Sequence, residues 1–209
     1  MEKFDIKKSY PQLYAPKSGD FTLVEVPVLQ YLAYNGHGDP NTSAEYTDAL
    51  ECLYPAAYAV KFASKKDMDR DFTVGPLEGQ WRAADMEAFT RGDKGSWDWT
   101  MLVAQPPWIT EDLLRAALDS VRRKRNPPGL DRVHLLALEE GTCAQILYIG
   151  AYNAEGPVLE RLHHHWMPAH GLTFNGDHHE IYLSDPRRTA AEKLRTVLRQ
   201  PVRPLQPSD

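Results

Sequence analysis

The sequence predicts a mixed α+β fold, and two observations carry this prediction. Segments rich in β-branched and aromatic residues, which are typical of strands, alternate with segments whose apolar residues recur at helical spacing. A strand that runs into a turn, then a helix, then a strand occurs twice, first around "AYNGHGD" and later around "YIGAYNAEG". This echo suggests a duplicated α+β domain with sheets backed by helices on one side, but spacing alone does not establish a repeat.

An irregular lead-in and three strands are predicted in the first half of the chain. Residues 1–20 are polar and contain prolines, which favours an irregular segment. Residues 21–36 are rich in β-branched and aromatic residues and end at Gly36, so they predict a strand. Residues 71–83 and 96–105 have a similar composition and predict two more strands, joined by a polar loop.

One long helix is predicted between these strands. Thr42 and Glu45 have the spacing of a capping box, which marks the start of a helix. Apolar residues then recur at helical spacing: Tyr46, Leu50, Leu53, Ala57 and Val60. Because proline lacks a backbone N–H group, we expect Pro55 to kink or split this helix.

The second half of the chain repeats the pattern. Residues 110–125 have apolar residues at helical spacing and are followed by "NPPG", which stops a helix. A hairpin is predicted to turn near Glu140 and Gly141, and "PVLERLHHHWMPAHG" after it predicts a short helix. Residues 189–199 begin with a second capping-box spacing and predict a helix that closes the chain.

These elements predict one domain, because 209 residues suffice for one sizeable core or for two halves that share one. Its expected parts are a lead-in (1–20) and a single domain (21–203) with two pseudo-repeats (about 21–105 and 130–185), a connecting helix (110–125) and a C-terminal helix (189–199). There is no Gly-rich phosphate loop and no GxSxG elbow. We expect no cofactor.

The composition limits the classes of partner that the protein is expected to bind. Lys and Arg number 24 against 29 Asp and Glu, and a net charge of −5 disfavours nucleic acid and anionic membranes. No stretch approaches the length of apolar sequence that a membrane span needs. The two cysteines are too few for a disulfide framework, so a reduced, cytoplasmic location is expected.

The segment "HHEIYLSD" raises the question of function because it sets Glu180 in a β-branched and aromatic strand. Side chains of a strand alternate between its faces, so Ile181 shares the core face with His179. Glu180 and Tyr182 must then face away from the core. The carboxylate is either solvated or enclosed in a concavity, where it could exchange protons or pair with a cationic ligand.

Aromatic residues could form the walls of such a concavity. Trp97 and Trp99 share one face of the strand 96–105, and Tyr148 and Tyr152 would share a face if alternation persisted past Gly150. A surplus of Trp and Tyr over Phe suits core positions and also suits a pocket that binds flat organic molecules.

The histidines invite a metal assignment that their spacing disfavours. Three consecutive histidines, 163–165, fan around a helix and cannot all reach one ion. A site made of His164, His178 and Glu180 is geometrically possible, but no HExxH motif or comparable spacing supports it. We therefore expect no metal.

Several motifs together resemble those of the GyrI-like small-molecule-binding proteins. They are "PLEGQW", "WDWTMLVAQPPWIT", "QILYIGAYNAEGP" and above all "HHEIYLSDPRRTAAEKLRTVLRQPV". The resemblance covers roughly residues 4–203 and implies the stand-alone form of the domain. It implies a duplicated strand–helix–strand–strand (SHS2-like) fold, with antiparallel sheets flanking a ligand cleft and helices on the outer side.

The resemblance also implies an activity and a site. Stand-alone relatives include hydrolases that open the cyclopropane ring of DNA-alkylating natural products such as yatakemycin. It places Glu180 in the ligand cleft. For ring opening we expect Glu180 to act as general base on water, and a Tyr hydroxyl (Tyr148 or Tyr182) or a Trp N–H to stabilise the phenolate. Ligand contacts are expected from Glu78, Trp81, Trp97, Trp99, Tyr152, Tyr58 and Trp166. Tyr148 stands where the pattern usually has His, and Gln80 and Arg82 also depart from it.

Three readings of this resemblance stay open at this point. The cleft could open the ring of a spirocyclopropyl-cyclohexadienone, or it could sequester planar aromatic drugs without chemistry. A third hypothesis, that the protein inhibits gyrase by binding to it, rests on the family name alone. The sequence leaves the oligomeric state undetermined.

Overall fold

An antiparallel sheet of nine strands dominates the computed structural model, which describes residues 3–16, 19–82 and 94–206. The strands are β1 (Thr22–Val26), β2 (Leu29–His37), β3 (Leu77–Arg82), β4 (Asp98–Gln105), β5 (His134–Leu138), β6 (Gly141–Ile149), β7 (Leu172–Phe174), β8 (His178–Tyr182) and β9 (Arg195–Pro204). With the helices that cover it, this sheet confirms the predicted α+β class.

The helices lie before, between and after these strands. They are α1 (Ile6–Ser9), α2 (Pro11–Tyr14), α3 (Ala44–Met68), α4 (Glu111–Lys124), α5 (Gly156–Glu160) and α6 (Met167–Ala169), and a π-helical turn (Arg161–Trp166) joins the last two. Helix α4 matches the prediction for 110–125. Thr110 caps it by accepting a hydrogen bond from the Leu113 N–H at 3.3 Å, and basic residues fill its last turn.

A duplicated strand–helix–strand–strand order organises the sheet. The elements β2, α3, β3 and β4 form the first unit, with strand order β3-β4-β2. The elements β6, α5–α6, β8 and β9 form the second, with the equivalent order β8-β9-β6. The units join where β3 pairs with β8, from Leu77 opposite Tyr182 to Trp81 opposite His178.

Pairing between the units also closes the sheet on itself. Thr22 on β1 pairs with Gln145 on β6, and Ala33 on β2 pairs with His134 on β5 in the same continued register. Strands β1 and β2 are therefore one line of chain, interrupted beside Pro27, and β5 and β6 are a second line that runs antiparallel to it. The predicted strand 21–36 is accordingly two strands.

The hairpin predicted to turn near Glu140 and Gly141 does not form. Strand β5 pairs with β2, whereas β6 pairs with β1 and β9, so the chain passes through residues 139–140 without reversing. Glycine and charged residues are typical of turns, but here Gly141 has φ +62° and Glu140 turns its side chain inward.

The predicted C-terminal helix 189–199 is also wrong. The capping-box residues lead only into a 3₁₀ turn, Ala191–Lys193, and strand β9 follows it. Strand β9 lies between β6 and β8 and is buried on both faces, so its side chains lack the one-sided pattern of an edge strand. Thr196 and Val197 are β-branched and favour a strand, and this preference prevails over the helix that the spacing of the leucines predicts.

Helix α3 is continuous through Pro55, where we expected a kink or split. Its buried side is made of small and apolar residues packed against β2 and β4: Ala49, Cys52, Leu53, Ala56, Ala57 and Val60. This packing stabilises the helix enough to tolerate one missing backbone hydrogen bond.

Three hydrophobic clusters are found among the residues that the structure describes. One lies between α3, α4 and the outer face of β2, β3 and β4, and another lies between α5–α6 and the outer face of β6 and β9. The third occupies the inner face of the closed sheet, where α1 and α2 pack against both halves. The lead-in predicted as irregular therefore contains two short helices.

Four charged side chains lie at the inner face and form what we call the buried charge cluster. Nδ1 of His179 lies 2.9 Å from Oε1 of Glu140, and its Nε2 lies 3.0 Å from Oε2 of Glu78. Arg199 donates from Nη1 to Oε2 of Glu140 at 3.2 Å. These side chains are at most 2% exposed, and the two cations match the two carboxylates.

The N-terminal helices are bonded to this cluster. The Tyr14 hydroxyl donates to Oε1 of Glu78 at 2.8 Å, and Nη2 of Arg199 donates to the Leu13 carbonyl at 3.0 Å. Buried polar groups cost free energy unless they are bonded. The cluster therefore ties β3, β8, β9 and residue 140 to the start of the chain.

The neighbouring charges shift the pKa values of this cluster in opposite directions. Burial alone would lower the pKa of His179, but the carboxylates of Glu140 and Glu78 outweigh it and raise that pKa to about 9. Burial alone would raise the pKa of Glu140, but His179 and Arg199 lower it to about 2. At neutral pH the imidazole is protonated and the carboxylate is ionised.

We predict a loss of stability at alkaline pH from this cluster. A histidine with a raised pKa contributes stability that is complete below its ordinary value of 6.5 and is lost as the pH rises through about 9. Urea unfolding should show the free energy of unfolding falling by a few kcal/mol over that interval. The double variant Glu78→Gln/His179→Gln keeps the Glu140–Arg199 pair and should lose most of this dependence. If the free energy of unfolding fell equally in wild type and the double variant at alkaline pH, the prediction would be contradicted.

Candidate functional site

The alternation predicted for strand β8 holds in the structure. His179 and Ile181 point to the inner face, where they join the buried charge cluster and the inner hydrophobic cluster. His178, Glu180 and Tyr182 point to the outer face, between the helices of the two units. Glu180 therefore lies at the junction of the units, and its side chain is only 14% exposed.

A chain of hydrogen bonds holds the Glu180 carboxylate. Tyr182 donates its hydroxyl to Oε2 of Glu180 at 2.7 Å, and Trp81 donates Nε1–H to the Tyr182 oxygen at 3.1 Å. Gly79 is the β3 partner of Glu180, and a Cβ atom there would lie 3.0 Å from Nε1 of Trp81 and 3.3 Å from the Tyr182 oxygen. A side chain at position 79 would therefore crowd this chain.

Aromatic rings pack around Tyr182 and Trp81 beside the carboxylate, and we call this group the aromatic cleft: Tyr46, Trp81, Trp97, Tyr152 and Tyr182. Tyr152 packs edge-on against Tyr182 with centroids 5.4 Å apart, and Trp97 packs edge-on against Trp81 at 5.7 Å. Tyr46 from α3 lies nearly parallel to Trp81, at 26° and 6.4 Å. Trp99 backs the group, fully buried and edge-on to Tyr46 at 5.3 Å.

The phenols of the aromatic cleft are protonated at neutral pH. Burial and then the Glu180 carboxylate raise the pKa of Tyr182 well above its ordinary value. The same two causes raise the pKa of Tyr46. Burial, followed by Glu155 and Glu180, raises the pKa of Tyr152 to about 12. These hydroxyls can therefore act as hydrogen-bond donors.

Five of the residues expected at the site lie in one connected group. Tyr182 binds Glu180, Trp81 and Tyr152 contact Tyr182, Trp97 contacts Trp81, and Trp99 is joined to Trp81 through Tyr46. Four other residues that we expected at the site lie elsewhere.

These four have separate surroundings. Glu78 points to the opposite face of β3 into the buried charge cluster. Tyr148 donates its hydroxyl to the Ala151 carbonyl at 3.1 Å, and Trp166 stacks on His170 with centroids 4.0 Å apart. Tyr58 is exposed on α3.

Two residues near Glu180 were not expected at the site. Tyr46 was assigned to the core stripe of α3, but it lies at the end of that stripe that reaches over Trp81. Strand alternation placed His178 on the same face as Glu180, but the only role considered for it was that of a metal ligand. No local pattern could have placed Tyr46 there.

A metal site finds no support in the described part of the chain. Residues 3–16, 19–82 and 94–206 contain no group of three His, Cys, Asp or Glu side chains that could hold an ion. Of the residues considered for such a site, His164 is exposed and His178 is buried.

Comparison with known families agrees with this geometry. The GyrI-like small molecule binding domain matches residues 19–203. The chain belongs to the GyrI-like family. It is accordingly a small-molecule-binding domain, and its aromatic cleft occupies the junction of the two units. A search of curated proteins found no match.

Solved structures from Listeria innocua are similar over nearly the whole GyrI-like chain. A conserved protein described as uncharacterized is 37% identical, with a TM-score of 0.88 and coverage of 96% of this chain and all of that one. Two structures described as hydrolases are each 35% identical, with TM-scores of 0.84 and 0.85, and cover 96% and 97% of this chain and 100% of each of those.

Within the described ranges, no helix combines the length and the apolar character that crossing a bilayer demands.

We predict that Tyr182→Phe destabilises the protein by about 1–3 kcal/mol, because the Trp81 N–H and the Glu180 carboxylate each lose a partner. Tyr58→Phe is the matched control, since its ring is 49% exposed, and it should change the unfolding free energy by less than about 0.5 kcal/mol. Urea unfolding measures both. A Tyr182→Phe protein as stable as the control would show that the hydroxyl bridge contributes nothing.

Proposed function

We propose that this protein is a hydrolase that opens the cyclopropane ring of planar spirocyclopropyl-cyclohexadienone compounds and so detoxifies them. The observation that carries the proposal is the Glu180 carboxylate, mostly buried among aromatic rings and held at one oxygen by Tyr182. Its second oxygen is left to act on a bound molecule. The Listeria relatives described as hydrolases support the reaction class.

The aromatic cleft suits a flat ligand. Tyr46 and Trp81 are nearly parallel with centroids 6.4 Å apart. A flat ligand could stack on either of these neighbouring rings, and each stacked contact would add about 0.5–1.5 kcal/mol beyond area burial.

Ring opening by water needs a base and a donor. Glu180 accepts a proton from water as the water oxygen bonds to the cyclopropane carbon. The strained C–C bond breaks, and its electron pair passes into the dienone, whose oxygen becomes a phenolate. Protonation of the phenolate completes the addition of one water molecule.

A phenol of the aromatic cleft can stabilise that developing oxyanion. We expected Tyr148 or Tyr182 in this role, but their hydroxyls already donate to Ala151 and Glu180. Tyr152 packs on Tyr182 and keeps its proton, with a pKa of about 12. We therefore propose Tyr152 as the donor to the dienone oxygen.

Two buried cysteines that form no disulfide support a cytoplasmic site of action. Cys52 and Cys143 are both free and buried. A reducing compartment is compatible with this state.

Glu180→Gln tests the catalytic role directly. The variant keeps the size of the side chain but cannot accept a proton, so the rate of ring opening should fall by about 10²–10⁴-fold. Glu139→Gln, on an exposed residue, is the control and should leave the rate unchanged. Product formation by purified protein is followed by mass spectrometry. Equal rates for wild type and Glu180→Gln would remove Glu180 as the base.

Sequestration without chemistry is the second candidate, and the same carboxylate favours it. A buried anion beside Trp81 and Tyr46 is complementary to a flat cation, through charge and cation–π contact. In that case wild type would bind such compounds stoichiometrically without product. Glu180→Gln would then weaken binding of cationic dyes but not of neutral ones.

Both proposed functions, hydrolysis and sequestration, require Tyr46 to contact the ligand. Tyr46→Leu should weaken binding of a planar aromatic compound about three- to tenfold, because one stacked ring is lost. Tyr58→Leu, on the exposed side of the same helix, should leave affinity unchanged. Tryptophan fluorescence quenching measures both affinities. A larger effect at Tyr58 would place the ligand on the outer surface of α3 instead.

A further inference from the structure

His178 is a buried histidine whose ring has no hydrogen-bond partner in the described part of the chain. Its side chain is 2% exposed, and neither Nδ1 nor Nε2 is bonded. Buried polar groups are nearly always satisfied, so an exception needs an explanation. The ring points along the outer face of β8 toward Glu180, with Nε2 3.5 Å from Oε1.

The contact involves the free oxygen of Glu180. Tyr182 occupies Oε2, so Oε1 is the atom that can take a proton from water, and it is the atom that faces His178. Strand geometry fixes this arrangement, since the two residues are two apart on one face. Trp81 lies opposite His178 on β3 and covers the pair.

Other ionisable groups near His178 do not compete for this role. His163 of the π-helical turn lies with its ring centroid 6.3 Å away at 82°. Burial, then His178 and His164, lowers the pKa of His163 to about 3, so it is neutral. Arg82 and Asp177, at the end of β3 and just before β8, pair with each other at 3.5 Å.

We propose that His178 is a further catalytic residue that takes from Glu180 the proton released by the attacking water. This inference rests on the proposed hydrolysis. Glu180 receives the proton at Oε1 as the C–O bond forms and the cyclopropane C–C bond breaks. The proton then passes to Nε2 of His178, which leaves a carboxylate beside an imidazolium.

The transfer leaves Glu180 ionised, since an imidazole ordinarily binds a proton more firmly than a carboxylate does. The imidazolium then releases its proton to solvent and the phenolate takes up one proton from solvent. The net change is the addition of one water molecule, and both side chains recover their starting state.

The decisive experiment compares His178→Gln with His165→Gln. Glutamine fills similar space but cannot carry the proton, so kcat for a simple spirocyclopropyl-cyclohexadienone should fall about 100-fold while KM stays within twofold. The acid limb of the wild-type pH–rate profile should move to lower pH in His178→Gln. His165 is exposed, and its variant should match wild type in every measurement.

Imidazole NMR gives a readout that does not depend on turnover. The ring-nitrogen resonances of His178 should move in Glu180→Gln, because the carboxylate oxygen 3.5 Å from its Nε2 is replaced by an uncharged amide. Unchanged resonances overturn the pairing. Turnover by His178→Gln equal to wild type overturns this inference alone, whereas absence of turnover by wild type removes the proposed function and this step with it.

Discussion

The buried charge cluster is the constraint on which the remaining structure depends. Arg199 on β9 and His179 on β8 are cations without access to solvent, and Glu78 and Glu140 balance them from other parts of the sheet. Removing one partner of such a group leaves an uncompensated charge, which costs about 3–5 kcal/mol. The strands can therefore be arranged around it in few ways, and the N-terminal helices must dock for Tyr14 to complete it.

Strand β8 transmits this constraint to the site. His179 is fixed at the inner face, so Glu180 must emerge at the outer face in a set orientation. Tyr182 and Trp81 then hold the carboxylate from the side. A side chain on a strand is held more precisely than one on a loop, and functional groups depend on such precise placement.

Much of the fold could be predicted from local sequence. The predictions that were wrong concern segments whose structure is decided by residues distant in the chain. The face of Glu180 followed from alternation, and helix α4 followed from spacing and its stop signal. The segment 189–199 became a strand because β6 and β8 lie on either side of it, which no local pattern reports. The partners of Glu140 in the buried charge cluster lie 39 and 59 positions away, so its inward orientation was likewise beyond local reasoning.

Gly79 makes the junction between the two units asymmetric. It lies directly opposite Glu180, on the neighbouring strand β3. One strand carries the carboxylate and the other leaves room beside it, since a Cβ at residue 79 would press on Trp81 and Tyr182. A substitution at position 79 would therefore alter the hydrogen bonds of a carboxylate that belongs to the other unit, although the native residue there has no side chain at all.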